Sequence, residues 1–184
     1  MFKSDFCQLT TKDYYTLQSM LDDMFLQDEL MRSILREKLS NAIVTFPEDI
    51  PSTIATLNSR ISFRVDNGLL ESRTIASNAM RGVVGMTVIS ISNPRGLGLL
   101  GLAEGQSAII GKSPGVQETV MVEKVIYQPE AEERRIDERR EMIEENERMD
   151  SRLFRFKKPA SHIKDPVNAR NDNDGDDEPD PSAA

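Results

Sequence analysis

The stretch NPRGLGLLGLAEGQS, residues 93–107, constrains the fold more than any other part of the chain. It follows the apolar run MTVISI and carries glycines at positions 96, 98 and 101, in the spacing of a dinucleotide-binding loop. Such a loop needs a parallel β-α-β crossover of about a dozen or more residues. Here Gly105 ends any helix soon after it begins, and no acidic residue follows at the position that would hold a ribose. The stretch therefore predicts a turn and a short helix that bind no nucleotide cofactor.

The N-terminal segment predicts two helices. Thr10 and Asp13 have capping-box spacing, and apolar residues then repeat at helical intervals over residues 11–26. A second apolar face covers residues 30–41. Because the junction Gln27–Asp28 is so short, we expect residues 1–46 to form a short antiparallel helical hairpin with arms of about 22 to 24 Å.

Strand patterns dominate the middle of the chain. Pro47 and Pro51 favour an extended linker over residues 47–56. Residues 57–129 then contain a strand–turn–strand pattern around the turn DNG, followed by three further strands and the glycine-rich helix. The fold class expected for this region is α+β, with an antiparallel sheet of five short strands and one short helix.

The C-terminal region has a different composition. Residues 130–156 are mostly good helix formers, with Glu130–Arg134 and Glu144–Arg148 as favourable pairs four residues apart, and predict a solvated charged helix. Residues 157–184 have the composition of a disordered acidic tail. Six acidic residues after Asn171 hold most of the net charge of −8, so we expect the folded part to be close to neutral.

Several functional classes are disfavoured by composition. Cys7 and His162 are the only residues of their types, so we expect no disulfide, no multi-histidine metal site and no catalytic triad. No long apolar segment or signal peptide is visible, which predicts a cytoplasmic protein without membrane association. The acidic tail and the lack of a basic face argue against direct DNA binding.

Acidic residues cluster near the predicted hairpin tip. Carboxylates on a rigid projecting hairpin could coordinate Mg²⁺ or meet a basic surface of a partner. The alternative is that helix ends are simply polar, with acidic side chains favoured at a helix N-terminus. The candidates for an electrostatic role are Asp22, Asp23, Asp28 and Glu29.

Four segments together resemble a known family. LNSRISF, NPRGLGLLGLAEGQS, KSPG and VIYQPEA occur in the order and spacing of the C-terminal domain of the bacterial Gre transcription factors. The pattern is most similar to the regulator of nucleoside diphosphate kinase family. The segment PEDIP also resembles the linker of that family. The similarity extends over about residues 11–132 and leaves the charged helix and the acidic tail unmatched.

The resemblance implies an FKBP-like domain preceded by a helical hairpin, in a protein that binds RNA polymerase at its secondary channel. Gre factors use a long acidic hairpin to stimulate transcript cleavage. The shorter hairpin predicted here implies competition for the docking site without cleavage. It also implies that the loop between the strand and the short helix contacts the rim of the channel, unless it is only a turn that ends the strand. The candidate contact residues are Asn93, Pro94, Arg95, Gly96 and Leu97.

Two positions depart from the family pattern. Gly98 replaces the usual alanine and should weaken the short helix by up to about 1 kcal/mol. Gln106 replaces the usual aspartate, so a contact made by that carboxylate is lost.

The leading hypothesis is therefore a non-enzymatic regulator of transcription elongation with no catalytic residue, metal or cofactor. An alternative is an interaction module that regulates the level or the activity of nucleoside diphosphate kinase. A remote alternative is an FKBP-like prolyl isomerase, which would want an aromatic-lined pocket. Residues 57–128 contain only Phe63 and Tyr127 as aromatics.

Overall fold

A computed structural model describes residues 2–4, 7–23, 28–66, 68–77, 87–113 and 116–156. These residues form a mixed α/β structure. In chain order the elements are β1 (Phe2–Lys3), β2 (Gln8–Thr10), α1 (Thr11–Asp22), α2 (Glu29–Asn41), β3 (Ile43–Thr45), β4 (Arg60–Val65), β5 (Glu71–Ala76), β6 (Val88–Ser90), α3 (Pro94–Leu99), β7 (Ser107–Ser113), β8 (Val116–Tyr127) and α4 (Pro129–Phe156).

The main sheet has six strands in the order β1-β7-β8-β4-β5-β6. The predicted β4–β5 hairpin is confirmed, with Ile61 opposite Arg73, and β8 pairs antiparallel with both β4 and β7. The expectation of a wholly antiparallel, five-stranded sheet is wrong in two respects. β1 adds a strand at the β7 edge, and β6 runs parallel to β5. The chain between Ala76 and Val88 is about a dozen residues long, which is enough for a parallel crossover.

The first helix begins as predicted but ends early. The Thr10 hydroxyl accepts a hydrogen bond from the Asp13 N–H at 3.0 Å and caps α1. The predicted end near Leu26 is wrong, because α1 ends at Asp22 and Asp23 has extended backbone angles. Two carboxylates at a helix C-terminus oppose the helix dipole, which favours termination there. Residues 24–27 lie outside the described part of the chain.

A second, two-stranded sheet flanks the helices. β2 enters α1 directly, β3 follows α2, and the two strands pair in parallel with Gln8 opposite Ile43. Neither strand was predicted, because three residues are too few to show an alternating pattern.

One hydrophobic core joins the helices to the main sheet. Leu17 from α1 and Ile34 from α2 belong to the same buried cluster as Ile61, Phe63 and Leu97. Residues 1–143 form one compact unit, and residues 144–184 form a second unit. The division into a hairpin at 1–46, a linker at 47–56 and a sheet domain at 57–129 stays a prediction.

The start of α4 is fixed to residues 47–56. Arg134 donates hydrogen bonds to the carbonyl groups of Pro47, Glu48 and Ile50, at 2.9 to 3.1 Å. Glu130 accepts one from the Thr56 hydroxyl at 2.7 Å. The predicted Glu130–Arg134 pair is therefore wrong, because both side chains bind groups distant in sequence.

The distal part of α4 has the predicted local pairing. Arg148 and Glu144 approach to 3.3 Å, four residues apart on exposed helix surface. The predicted acidic tail, residues 157–184, lies outside the described residues.

Candidate functional site

The predicted contact segment is the start of a helix. It was expected to be a loop ahead of the helix, which is wrong: Asn93 is the N-cap of α3 and accepts a hydrogen bond from the Arg95 N–H at 2.9 Å. Pro94 is the first helical residue, where its fixed φ suits the helix and its missing N–H has no cost. The segment is therefore held in one conformation by its own capping chemistry.

The five predicted contact residues divide into a surface and a support. Asn93 is exposed, and Pro94 and Arg95 are partly exposed. Gly96 and Leu97 are buried, and a Cβ atom added at Gly96 would lie 2.2 Å from the Ser90 carbonyl oxygen. Only Gly allows α3 to pack this closely against the end of β6, so Gly96 and Leu97 place the other three residues at the surface.

The remaining glycines and leucines shape the turn after α3 and bury the helix. Gly101 and Gly105 have φ values of +79° and +78°, which turn the chain from α3 into β7. Leu97, Leu99, Leu100 and Leu102 are fully buried. The glycine pattern thus builds a tight turn around a buried helix, as the sequence predicted.

Gly98 and Gln106, the two departures from the family pattern, each contact neighbouring residues that explain them. A Cβ atom at Gly98 would approach Ile110 Cδ1 to 2.9 Å and Val120 Cγ2 to 3.2 Å, so the larger side chains of β7 and β8 occupy the space of an alanine methyl group. The Gln106 side-chain oxygen accepts a hydrogen bond from the Ala103 N–H at 3.2 Å. This residue therefore supports its own turn.

Arg95 forms a two-point ion pair with Glu118 on β8. Its Nε and Nη2 atoms each donate to one carboxylate oxygen, with a distance of 2.7 Å for the Nη2 bond. These hydrogen bonds raise the pKa of Arg95 above its usual value. The Glu118 side chain is only 8% exposed. A charge reversal at Arg95 would leave a buried carboxylate next to a new one, and would therefore disturb folding as well as any docking.

A polar pocket of about 370 Å³ lies beside Asn93. Arg73 and Arg95 both line it, together with Ser90 and Ser92. Arg73 also pairs with Glu71, at 2.7 Å. Sequence reasoning missed this pocket, although the spacing of Glu71 and Arg73 by two residues in a strand places both on one face.

Lys38 connects α2 to the end of α3. Its ammonium group donates to the carbonyl of Leu100, the C-cap of α3, and lies 3.8 Å from the Cys7 sulfur. Burial lowers the pKa of Lys38. The hydrogen bond from Lys38 satisfies a carbonyl group at the C-terminal end of α3, so this buried lysine stabilises the helix from the core side.

The acidic candidates lie at the C-terminal end of α1 and at the N-terminal end of α2, and all four are exposed. Asp22 ends α1 and accepts from the Gln18 amide at 3.1 Å, and Asp23 follows it as the C-cap. Asp28 caps α2 by accepting from the Leu30 and Met31 N–H groups. Glu29 is the first residue of that helix.

The described residues provide neither a metal site nor a membrane-spanning helix. No group of three or more His, Cys, Asp or Glu side chains there is placed to hold a metal ion. None of the described helices combines the length and the apolar composition needed to cross a membrane. His162 lies outside these residues.

Comparison with known proteins identifies the family. No protein-family model matches the chain. The regulator of nucleoside diphosphate kinase of Escherichia coli (strain K12) is 35% identical over 98 residues, which cover 53% of this chain and 71% of that protein, and the Shigella flexneri regulator matches equally well. A solved GreA/GreB transcription elongation factor from Nitrosomonas europaea is 30% identical with a TM-score of 0.50, over 66% of this chain and 98% of that one. The chain has the fold of the GreA/GreB factors and belongs to the regulator of nucleoside diphosphate kinase family.

Proposed function

We propose that this protein regulates transcription elongation by binding RNA polymerase near its secondary channel, where it competes with Gre-type factors without stimulating transcript cleavage. The observation that carries this proposal is the similarity to the Nitrosomonas europaea GreA/GreB factor over 98% of that chain. In this proposal the main sheet and α3 form the FKBP-like domain that grips the channel rim. The protein acts in the cytoplasm and has no enzymatic activity of its own.

The docking surface in this proposal consists of Asn93, Pro94 and Arg95. Their rigidity supports this role, because the Asn93 cap and the Glu118 ion pair fix the side chains before a partner arrives. Preorganised contact residues lose little conformational entropy on binding.

The inability to stimulate cleavage is inferred from the lengths of α1 and α2. In the proposal these helices form an antiparallel hairpin that points into the channel. They have 12 and 13 residues, which corresponds to about 18 to 20 Å at 1.5 Å per residue. In the proposal, a hairpin of this length occupies the channel entrance but is too short to bring its carboxylates to the catalytic Mg²⁺.

A co-purification experiment tests the proposed docking surface. Tagged wild-type protein should retain core RNA polymerase, and Pro94→Glu should retain much less. Glutamate is tolerated in the first turn of a helix, so this substitution changes the surface while α3 is preserved. Ser52→Glu introduces the same charge at an exposed turn residue and should behave like the wild type. Equal retention of polymerase by both variants would exclude Asn93–Arg95 as the docking surface.

A second candidate function is regulation of nucleoside diphosphate kinase, which is favoured by the name of the Escherichia coli relative. Two routes are separable. A direct effect predicts that the purified protein changes the turnover of the purified kinase. An indirect effect predicts changed kinase levels in cells with unchanged turnover in the purified mixture.

A further inference from the structure

The pocket beside Asn93 presents two guanidinium groups, and we call it the arginine pocket. Its two arginines are each held on one side by a glutamate. Arg73 uses Nε and Nη2 to bind Glu71, and Arg95 uses the same two atoms to bind Glu118. Within the described part of the chain, the Nη1 atom of neither arginine donates a hydrogen bond. Each group therefore keeps donors for a further acceptor.

Both arginines belong to rigid elements. Arg73 lies in β5, opposite Ile61 of the neighbouring strand, and Arg95 lies in the first turn of α3. The buried Glu118 carboxylate holds Arg95 at two points, which fixes the plane of its guanidinium group. The pocket is thus formed before any ligand enters.

We propose that the arginine pocket binds a carboxylate side chain of a protein partner. A guanidinium group offers planar paired donors that match the two oxygens of a carboxylate. Within the described residues the pocket mixes basic and acidic groups, because Arg73 pairs with Glu71 and Arg95 pairs with Glu118, whereas a surface that binds a nucleic-acid backbone is uniformly basic. It suits a single carboxylate carried on a protein surface. This inference rests on the proposed function for the partner's identity, which would be RNA polymerase.

The first test compares two arginine variants in polymerase binding. Arg73→Gln removes the charge and the free donors of one pocket residue. Arg64→Gln is a matched control, because Arg64 is 40% exposed against 41% for Arg73 and also pairs with a strand glutamate, Glu123, but lies outside the pocket. Loss of a charge-assisted hydrogen bond should weaken binding about tenfold or more for Arg73→Gln and leave Arg64→Gln unchanged. Equal affinities of the two variants would refute a role of the pocket in docking.

The second test needs no polymerase. The Nε–Hε signals of the full-length ¹⁵N-labelled protein are followed by NMR during titration with acetate and, separately, with inorganic phosphate. Acetate should shift the Arg73 and Arg95 signals saturably and leave Arg64 unshifted. Saturation by phosphate alone, or by neither anion, would overturn the assignment of a carboxylate pocket. If acetate saturates the pocket while the wild-type protein fails to bind polymerase, the carboxylate pocket is supported and the proposed function is refuted.

Discussion

Replacing Asp13 by asparagine is expected to stabilise the protein at neutral pH. Asp13 is 1% exposed, and this burial raises its pKa from 3.8 to about 6. The hydrogen bond from the Leu57 N–H opposes the increase in pKa, and the nearby Glu130 charge adds to it. One carboxylate oxygen accepts that Leu57 bond at 3.3 Å. The other has no hydrogen-bond partner among the described residues. The ionised side chain is therefore poorly compensated in the folded state.

The sign of the effect follows from proton linkage. The folded-state pKa of Asp13 is higher than the unfolded-state value, so between about pH 4 and pH 6 the folded protein binds more protons. The free energy of unfolding should therefore fall as pH rises through this window and stay lower at pH 7. Two pKa units correspond to about 3 kcal/mol. Asparagine still accepts the Leu57 hydrogen bond but carries no charge, so it should recover up to about 3 kcal/mol at pH 7 and little at pH 4.

Urea unfolding between pH 4 and pH 8 measures this difference. Asp22→Asn, which changes an exposed aspartate of the same helix, is the control and should follow the wild-type curve. The groups that line the small cavity beside Asp13 include Lys12, Glu130 and Glu133, and they remain in place in both variants. The reasoning is refuted if Asp13→Asn is no more stable than the wild type at pH 7 and keeps the wild-type pH dependence.

Three further predictions concern packing, the α4 junction and the helix ends. Gly98→Ala should stabilise the protein by up to about 1 kcal/mol, through helix propensity, only when it is combined with Ile110→Val. The second substitution removes the Cδ1 atom that blocks the new methyl group, and thermal unfolding of the single and double variants measures this coupling. Arg134→Lys should lose part of the three-carbonyl contact and cost about 1 to 2 kcal/mol in urea unfolding, whereas the exposed Arg135→Lys should be neutral. Neutralising the acidic helix ends while preserving the α2 cap should weaken competition with a Gre factor in transcription assays; unchanged competition would remove their electrostatic role. The set of substitutions is Asp22→Asn, Asp23→Asn, Asp28→Asn and Glu29→Gln.

Features set by local pattern were predictable from the sequence. The Thr10 cap, the β4–β5 hairpin and the turn at Gly105 all depend on residues close together in the chain. In each case one local interaction or one backbone conformation decides the structure. The short glycine-rich helix was therefore predictable without long-range information, although it begins at Pro94, earlier than expected.

Features that depend on distant partners were not predictable. Arg134 binds the carbonyl groups of residues 47–50 and not Glu130, because the tertiary fold brings residues 47–50 next to α4. The same is true of the Arg95–Glu118 pair and of the parallel alignment of β5 and β6. Side-chain periodicity identifies an exposed or buried face but carries no information about the residue that will lie opposite.

Competition for RNA polymerase tests the central claim most directly. A fluorescently labelled Gre factor is bound to core polymerase, and the unlabelled protein is titrated into the complex. We predict saturable displacement of the Gre factor by the wild-type protein, displacement by Pro94→Glu only at much higher concentration, and no transcript cleavage by the displacing protein. A Gre factor that stays bound at saturating concentrations of the wild-type protein would contradict the proposal that the two share one docking site.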